Sequence, residues 1–163
     1  MIRIGILSDT HGFLPPRFAE KLRDTDLILH AGDIGSMPVL DEIRKIKPMK
    51  AVYGNIDPPD IRKECSEHIF MNVEGISILM IHIGGYPGKY SARARKLIRE
   101  LKPALFISGH SHILKVMPDR KNNLLHINPG ACGRFGFQIK NTMVFLNADQ
   151  GNFKDLEVFE MDR

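Results

Sequence analysis

Apolar and polar positions fall into two periods along the chain, one of about two residues and one of about four. Ile2, Ile4, Ile6 and Leu7 form a short apolar run that ends in the polar cluster Ser8-Asp9-Thr10-His11-Gly12, the pattern of a strand running into a loop. Pro15 and Pro16 can open a helix, where a missing N–H costs nothing, and Leu14, Phe18 and Leu22 then recur every four residues as one buried stripe. Leu27 to His30 reads as the next strand and is followed by Gly32-Asp33. Ser36 and Pro38 signal a second helix, with Val39, Leu40, Ile43 and Ile46 on one face. Met49 to Tyr53 is a third strand, ending in Gly54-Asn55. This βαβαβ opening predicts parallel strands joined by right-handed crossovers.

The middle of the chain changes character. Ile69 to Val73 and Ile76 to Ile83 are apolar runs separated by Glu74-Gly75, a hairpin signal. Ser91 then caps a helix with Ala94, Leu97, Ile98 and Leu101 on one side. The remainder returns to strands: Ala104 to Ile107, Ile113 to Met117, Leu124 to Ile127, Thr142 to Leu146 and Phe153 to Phe159. About ten strands and three helices are too many strands for one doubly wound sheet in a chain of this length. Two sheets packed face to face with helices outside accommodate them, so the expected class is α/β, a four-layer αββα sandwich.

Length and composition narrow the field further. The 163 residues fit one domain, expected to span 1–163, and 43% hydrophobic with 26% charged residues suits a globular chain with a core rather than a disordered one. No apolar run approaches the ~20 residues of a membrane span, and no basic segment followed by an apolar stretch opens the chain. A membrane or secreted protein is therefore not expected. The net charge of +4 permits an acidic ligand but falls short of a nucleic-acid-binding tail. Cys65 and Cys132 form neither a C-x-x-C pair nor a disulfide framework, which points to the reducing cytoplasm.

The candidate chemistry lies where the apolar runs stop. Asp9 and His11, Asp33, Asn55, His82, and His110 with His112 each follow the end of an expected strand. The carboxyl ends of parallel strands share one edge, where loops distant in sequence converge on a ligand. Seven O and N donors at one edge match the needs of two divalent ions, which take three or four protein ligands each and can share a bridging carboxylate. Asp and His suit metals of intermediate hardness: manganese first, then nickel, zinc or iron.

Ser8-Asp9-Thr10-His11, Gly32-Asp33, Gly54-Asn55-Ile56-Asp57, His82 and Gly109-His110-Ser111-His112 resemble the five blocks of the calcineurin-like metallophosphoesterases. The short length and Asn128-Pro129-Gly130 resemble the small single-domain YfcE-type phosphodiesterases of that superfamily, and the resemblance runs from Ile2 to about Phe137. It implies an αββα sandwich with one ion held by Asp9, His11, Asp33 and His112 and the other by Asp33, Asn55, His82 and His110, Asp33 bridging. The reaction expected at such a site is hydrolysis of a small phosphodiester or phosphate ester by a metal-bound hydroxide, with Asn55, His82 and His110 as the catalytic residues. Relatives also imply dimers or tetramers, and nucleic acid is expected only as a substrate. Two departures stand out. Ile56 occupies a position where many members carry a histidine, and small phosphodiesterases often a cysteine, so the acid that protonates the leaving group has no assigned residue. The block around His82 reads His82-Ile83-Gly84-Gly85 in place of His-Gly-His, which bears on substrate range.

Other polar residues have plainer readings. Asp57 is expected to hydrogen-bond its loop in support of the site, and His30 to be a hydrogen-bonded core residue near it. His68 and His126 are expected to be structural or exposed, and both cysteines inert. Arg93, Arg95, Lys96, Arg99 and Lys102 form a basic run read as a solvated helix face, with guidance of an acidic substrate as the alternative. Arg134 is a weaker candidate for a phosphate contact. The competing function is a non-catalytic protein-interaction scaffold of the same fold, like the retromer sorting subunit, though a scaffold has no need of all seven donors. A nucleic-acid-binding module would need a motif that the chain lacks.

Overall fold

The elements, in a computed structural model describing residues 1–163, are β1 (Ile2–Leu7), α1 (Pro16–Leu22), β2 (Leu27–His30), α2 (Met37–Ile46), β3 (Met49–Ala51), α3 (Pro59–Glu64), β4 (His68–Val73) and β5 (Ile76–Ile81). They continue with β6 (Gly85–Tyr86), β7 (Lys89–Tyr90), α4 (Ala92–Leu101), β8 (Leu105–Ile107), β9 (Leu114–Asp119), β10 (Leu124–Pro129), β11 (Lys140–Asp149) and β12 (Asn152–Asp162). One five-stranded sheet has the order β12-β11-β1-β2-β3 and the other β4-β5-β8-β10-β9, with β6-β7 a separate small ribbon. No helix is long and apolar enough to cross a membrane.

The two-residue period of the strands decides the layers. Ile4 and Ile6 of β1, Ile78 and Met80 of β5, and Val144 and Leu146 of β11 point into one buried cluster between the sheets. The opposite faces take the helices. Phe18, Leu22, Leu40, Ile43 and Ile61 of α1 to α3 pack on the first sheet, against Leu7 and Ile28. Ala94, Leu97 and Ile98 of α4 pack on the second, against Leu79, Ile81 and Phe106. The expected αββα sandwich is what forms.

The parallel opening is also present: β1 pairs with β2 and β2 with β3 in parallel. The second sheet holds a parallel core of its own, β5-β8-β10. The Glu74-Gly75 hairpin joins β4 to β5 antiparallel, with both turn residues in the left-handed region. Ser91 caps α4 by accepting from the Ala94 N–H at 3.1 Å. Ser36 precedes α2 without a side-chain cap bond, leaving Pro38 as the start signal.

Several features differ from the sequence expectation, strand ends among them: β3 stops at Ala51 rather than Tyr53, and β11 and β12 run beyond the expected Thr142–Leu146 and Phe153–Phe159. Helix α3 has six residues with a single buried apolar side chain, Ile61, too few to show a period. The ribbon β6-β7 has two residues per strand and cannot show an alternation either. The strand read over Ile113 to Met117 lies at Leu114–Asp119, because its pairing with β10 sets its register rather than its own apolar residues.

Candidate metal centre

Every candidate donor emerges from the carboxyl end of a parallel strand: Asp9 and His11 after β1, Asp33 after β2, Asn55 after β3, His82 after β5, His110 and His112 after β8. The structure brings all seven together at one edge of the sandwich. Asp9, His11 and His112 each place one ligand atom within 4.8 Å of the others, and so do Asp33, His82 and His110. Asp33 Oδ2 lies between the two groups, 3.2 Å from His82 Nε2 and 3.7 Å from His11 Nε2. Asp9 Oδ1 is 3.2 Å from His112 Nε2 and 3.6 Å from His11 Nε2. Asn55 reaches the cluster through Oδ1, 3.1 Å from His82 Nε2.

The backbone is bent hard to achieve this. Asp9, His11, Asp33, His110 and His112 all have φ between 47° and 70°. Left-handed conformations cost non-glycine residues of order 1 kcal/mol or more each, and they persist where the surroundings over-determine them. Glycines make the close approaches. Gly32 has φ +100°, and a Cβ there would sit 2.7 Å from His82 Nδ1; at Gly54 a side chain would collide with the Asp33 carboxylate.

Neighbouring groups aim the donors. His82 Nδ1–H donates to the Ala31 carbonyl at 2.7 Å, which leaves the Nε2 lone pair facing the cluster. His112 Nδ1 meets Gln138 Oε1 at 3.2 Å to the same effect. Asp9 Oδ2 accepts from Ser8 Oγ at 2.6 Å and from the His110 N–H at 3.1 Å. Its other oxygen, Oδ1, is buried and has no hydrogen-bond partner. Asp33 Oδ1 accepts the Ile56 N–H at 3.0 Å, so Oδ2 is the atom left for the cluster.

The charges respond to one another. Burial alone would raise the Asp9 carboxyl pKa, but the imidazoles of His11 and His112 beside it and the charge of His82 hold it well below the carboxylate range. Burial likewise opposes a charged Asp33, and His82 with the Ile56 N–H outweighs it. Burial disfavours a charged His82 ring, yet Asp33 and Asp9 raise its pKa above the usual value. The adjacent Asp9 carboxylate does the same for His112.

The supporting residues divide clearly. Asp57 is buried and accepts from Gly35 N at 2.7 Å and Gly54 N at 2.8 Å, tying the loop after β2 to the loop after β3. His30 accepts the Gly32 N–H on Nδ1 at 3.1 Å and meets Thr10 Oγ1 through Nε2 at 3.0 Å, and burial pushes its pKa down to about 4. His126 is buried, with Nδ1 donating to the Phe106 carbonyl at 3.2 Å, and His68 is half-exposed. Burial pushes the Cys65 thiol up to about 11 and raises Cys132 further, so both are inert at neutral pH. Arg134 stacks 3.5 Å over the Phe13 ring. The sequence gives no sign of Gln138 and shows Ser8 only as the first residue of the Ser8-Asp9-Thr10-His11 block, because the partners of both are set by folding. Asn128, of the Asn128-Pro129-Gly130 motif, holds the Gly109 carbonyl through Nδ2 at 2.9 Å under the histidine loop.

Comparison with known proteins identifies the family. The model of the calcineurin-like phosphoesterase superfamily domain matches residues 2–151. A probable metallophosphoesterase of Methanothermobacter thermautotrophicus is 32% identical over 135 residues, 78% of this chain and 76% of that protein. A phosphodiesterase of Methanocaldococcus jannaschii is 26% identical over 147 residues, 80% of this chain and 84% of that one. Among solved structures, an archaeal phosphodiesterase superposes with a TM-score of 0.76 at 24% identity, covering 97% of this chain and all of its own. Wild-type Vps29 from Entamoeba histolytica, complexed with zinc, has the same fold with a TM-score of 0.76 at 16% identity, covering 99% of both chains. The convergence of seven donors at one sheet edge and a superfamily match over most of the sequence lead to one conclusion: the chain belongs to the calcineurin-like phosphoesterase superfamily.

Proposed function

We propose that the chain is a two-metal phosphodiesterase, one domain over residues 1–163, in which Asp9, His11, Asp33 and His112 hold one divalent ion and Asp33, Asn55, His82 and His110 the other. The observation that carries this reading is Asp9 Oδ1, a buried carboxylate oxygen with no donor, facing imidazole nitrogens beside the shared Asp33 Oδ2. A buried unpaired carboxylate oxygen costs several kcal/mol unless a cation or donor meets it. The O and N donor set suits manganese first, with nickel, zinc or iron as alternatives. A bound ion pair supplies Lewis acidity toward phosphoryl oxygen and lowers the pKa of water toward neutrality.

The chain's own residues hold and orient. Asn55 turns Oδ1 toward His82, which leaves its Nδ2 to donate to a phosphoryl oxygen as charge builds there. His110 is exposed at the mouth, where a substrate arrives, while His82 is buried behind it with ring centroids 5.3 Å apart. Both cysteines are buried, so neither thiol is presented to a substrate. Two free thiols suit a reducing compartment, and the cytoplasm is the proposed location.

The test is metal analysis of the purified protein together with hydrolysis of a chromogenic diester and monoester. Two ions per chain are expected at saturation, with diester hydrolysis lost on chelation. Asp33→Asn should lower occupancy of both sites, because one carboxylate offsets the charge of both ions. One ion per chain in the wild type, or unchanged occupancy in the variant, overturns the assignment.

The scaffold reading is favoured by one observation, the exposure of Phe135, Phe137 and Ile139 in the loop beside His112. A Vps29 of this fold is described as complexed with zinc, so metal occupancy alone does not separate the two readings; turnover does.

A further inference from the structure

The ribbon β6-β7, helix α4 and the turn between β9 and β10 enclose a cleft of about 910 Å³. Five cations stand on its walls: Lys89 from the ribbon, Arg95, Arg99 and Lys102 along α4 and its C-cap, and Lys121 from the turn. None of the five forms a salt bridge, whereas Arg93 on the same helix pairs with Glu67 at 3.1 Å. The cleft's one carboxylate, Asp119, is turned to its own donors, Tyr90 Oη and Asn122 Nδ2, each at 2.7 Å. Arg95, Arg99 and Lys102 repeat at helical spacing, and seven residues of helix rise about 10 Å, longer than one phosphate group. Like charges on one helix face repel, and a concave wall that concentrates them focuses the field on an anion.

A second cavity of about 270 Å³ joins this cleft to the candidate metal centre. Lys89 and Tyr90 line both, and at its far end stand His110 and Ser111. Lys115 lines it as well, with Nζ 3.8 Å over the Tyr86 ring. Positive charge therefore runs from His110 past Lys115 and Lys89 to Lys102. A small diester with one negative charge at the metals has no use for six further cations. Tyr86 is covered by Lys115 and Tyr90 is engaged with Asp119, so the track offers charge to phosphates rather than open rings to bases.

We infer that this track holds the distal phosphates of the substrate: a disubstituted phosphate, diester or anhydride, cleaved beside Asp33 and His110, whose arm carries at least one further phosphate, as a short single-stranded oligonucleotide or a dinucleoside polyphosphate does. For the position of the cleaved bond, the inference rests on the phosphodiesterase reading.

Binding of fluorescein-labelled pentathymidylate to the metal-free protein, followed by anisotropy across salt concentrations, tests the cleft without turnover. In Arg95→Gln/Arg99→Gln the slope of log K against log salt should fall by about 1.4, two contacts at ~0.7 each, and low-salt affinity by about tenfold or more. Arg17→Gln/Lys45→Gln, with the same net charge, should bind as wild type. Competition by diadenosine tetraphosphate as effective as by unlabelled pentathymidylate identifies a nucleoside polyphosphate as source; weak competition identifies the oligonucleotide. Equal slopes in wild type and R95Q/R99Q, or hexaglutamate competing as well as either phosphate ligand, overturn the inference. With metal restored, kcat/KM for pentathymidylate relative to bis(4-nitrophenyl) phosphate should drop about tenfold in R95Q/R99Q. A wild type that hydrolyses neither ester defeats the phosphodiesterase reading, and the anisotropy result still decides the cleft.

Discussion

Ile56 exposes 45% of its surface at the mouth of the site, and only its backbone N–H, donated to Asp33, enters the donor cluster. An isoleucine side chain cannot protonate a departing alkoxide. General acid catalysis contributes ~10²–10⁴-fold, most for poor leaving groups. Wild-type rates on a series of substituted phenyl diesters should therefore depend steeply on leaving-group pKa, and Ile56→His should flatten the dependence. Equal rates across the wild-type series would mean that another acid acts. The donors themselves were legible in the sequence because each follows an apolar run directly. Ser8 and Gln138 were not, since what matters about them is that their partners, Asp9 Oδ2 and His112 Nδ1, need one face satisfied and the other free.

The loops after β2 and β3 are held together by Asp57, whose carboxylate takes one N–H from each. Arg62 of α3 adds a bond from Nε to the Asp57 carbonyl at 2.7 Å and lies 4.8 Å over the Tyr53 ring. Hydrogen bonds to a charged acceptor contribute ~1.5–3 kcal/mol each, and Gly54 N is left without its partner if the carboxylate goes. Asp57→Ala should lower the stability of the metal-free protein by about 3 kcal/mol, read from urea unfolding; a change below the error of that measurement would reduce Asp57 to a bystander. The sequence placed Asp57 in its loop but not α3 beside it. A one-turn helix with a single apolar residue, like a ribbon of two-residue strands, has no period to read. The long strands do, and their expected layers are the ones found.

At the scale of the whole molecule, the sandwich is built from a parallel core in each sheet, and the candidate centre draws Asp9, His11, Asp33 and Asn55 from one sheet and His82, His110 and His112 from the other. That both sheets point their strand ends the same way was foreseeable only for the first, from its βαβαβ pattern; the second sheet's parallel core depends on pairings between β5, β8 and β10 that no local signal announces. The split ownership of the donors has a kinetic consequence. A bound ion would fasten the two sheets together, and if they join after the folding barrier, metal acts on escape from the native state rather than on its formation. Each ion present at 100 times its Kd adds about 2.7 kcal/mol, which should appear as a roughly 100-fold slower unfolding limb with the refolding limb nearly unmoved. Stopped-flow refolding that accelerated as much as unfolding slowed would place the joining of the sheets before the barrier. If the limbs behave as expected, the ions proposed as reagents at the sheet edge are also a latch that sets how long the native fold lasts.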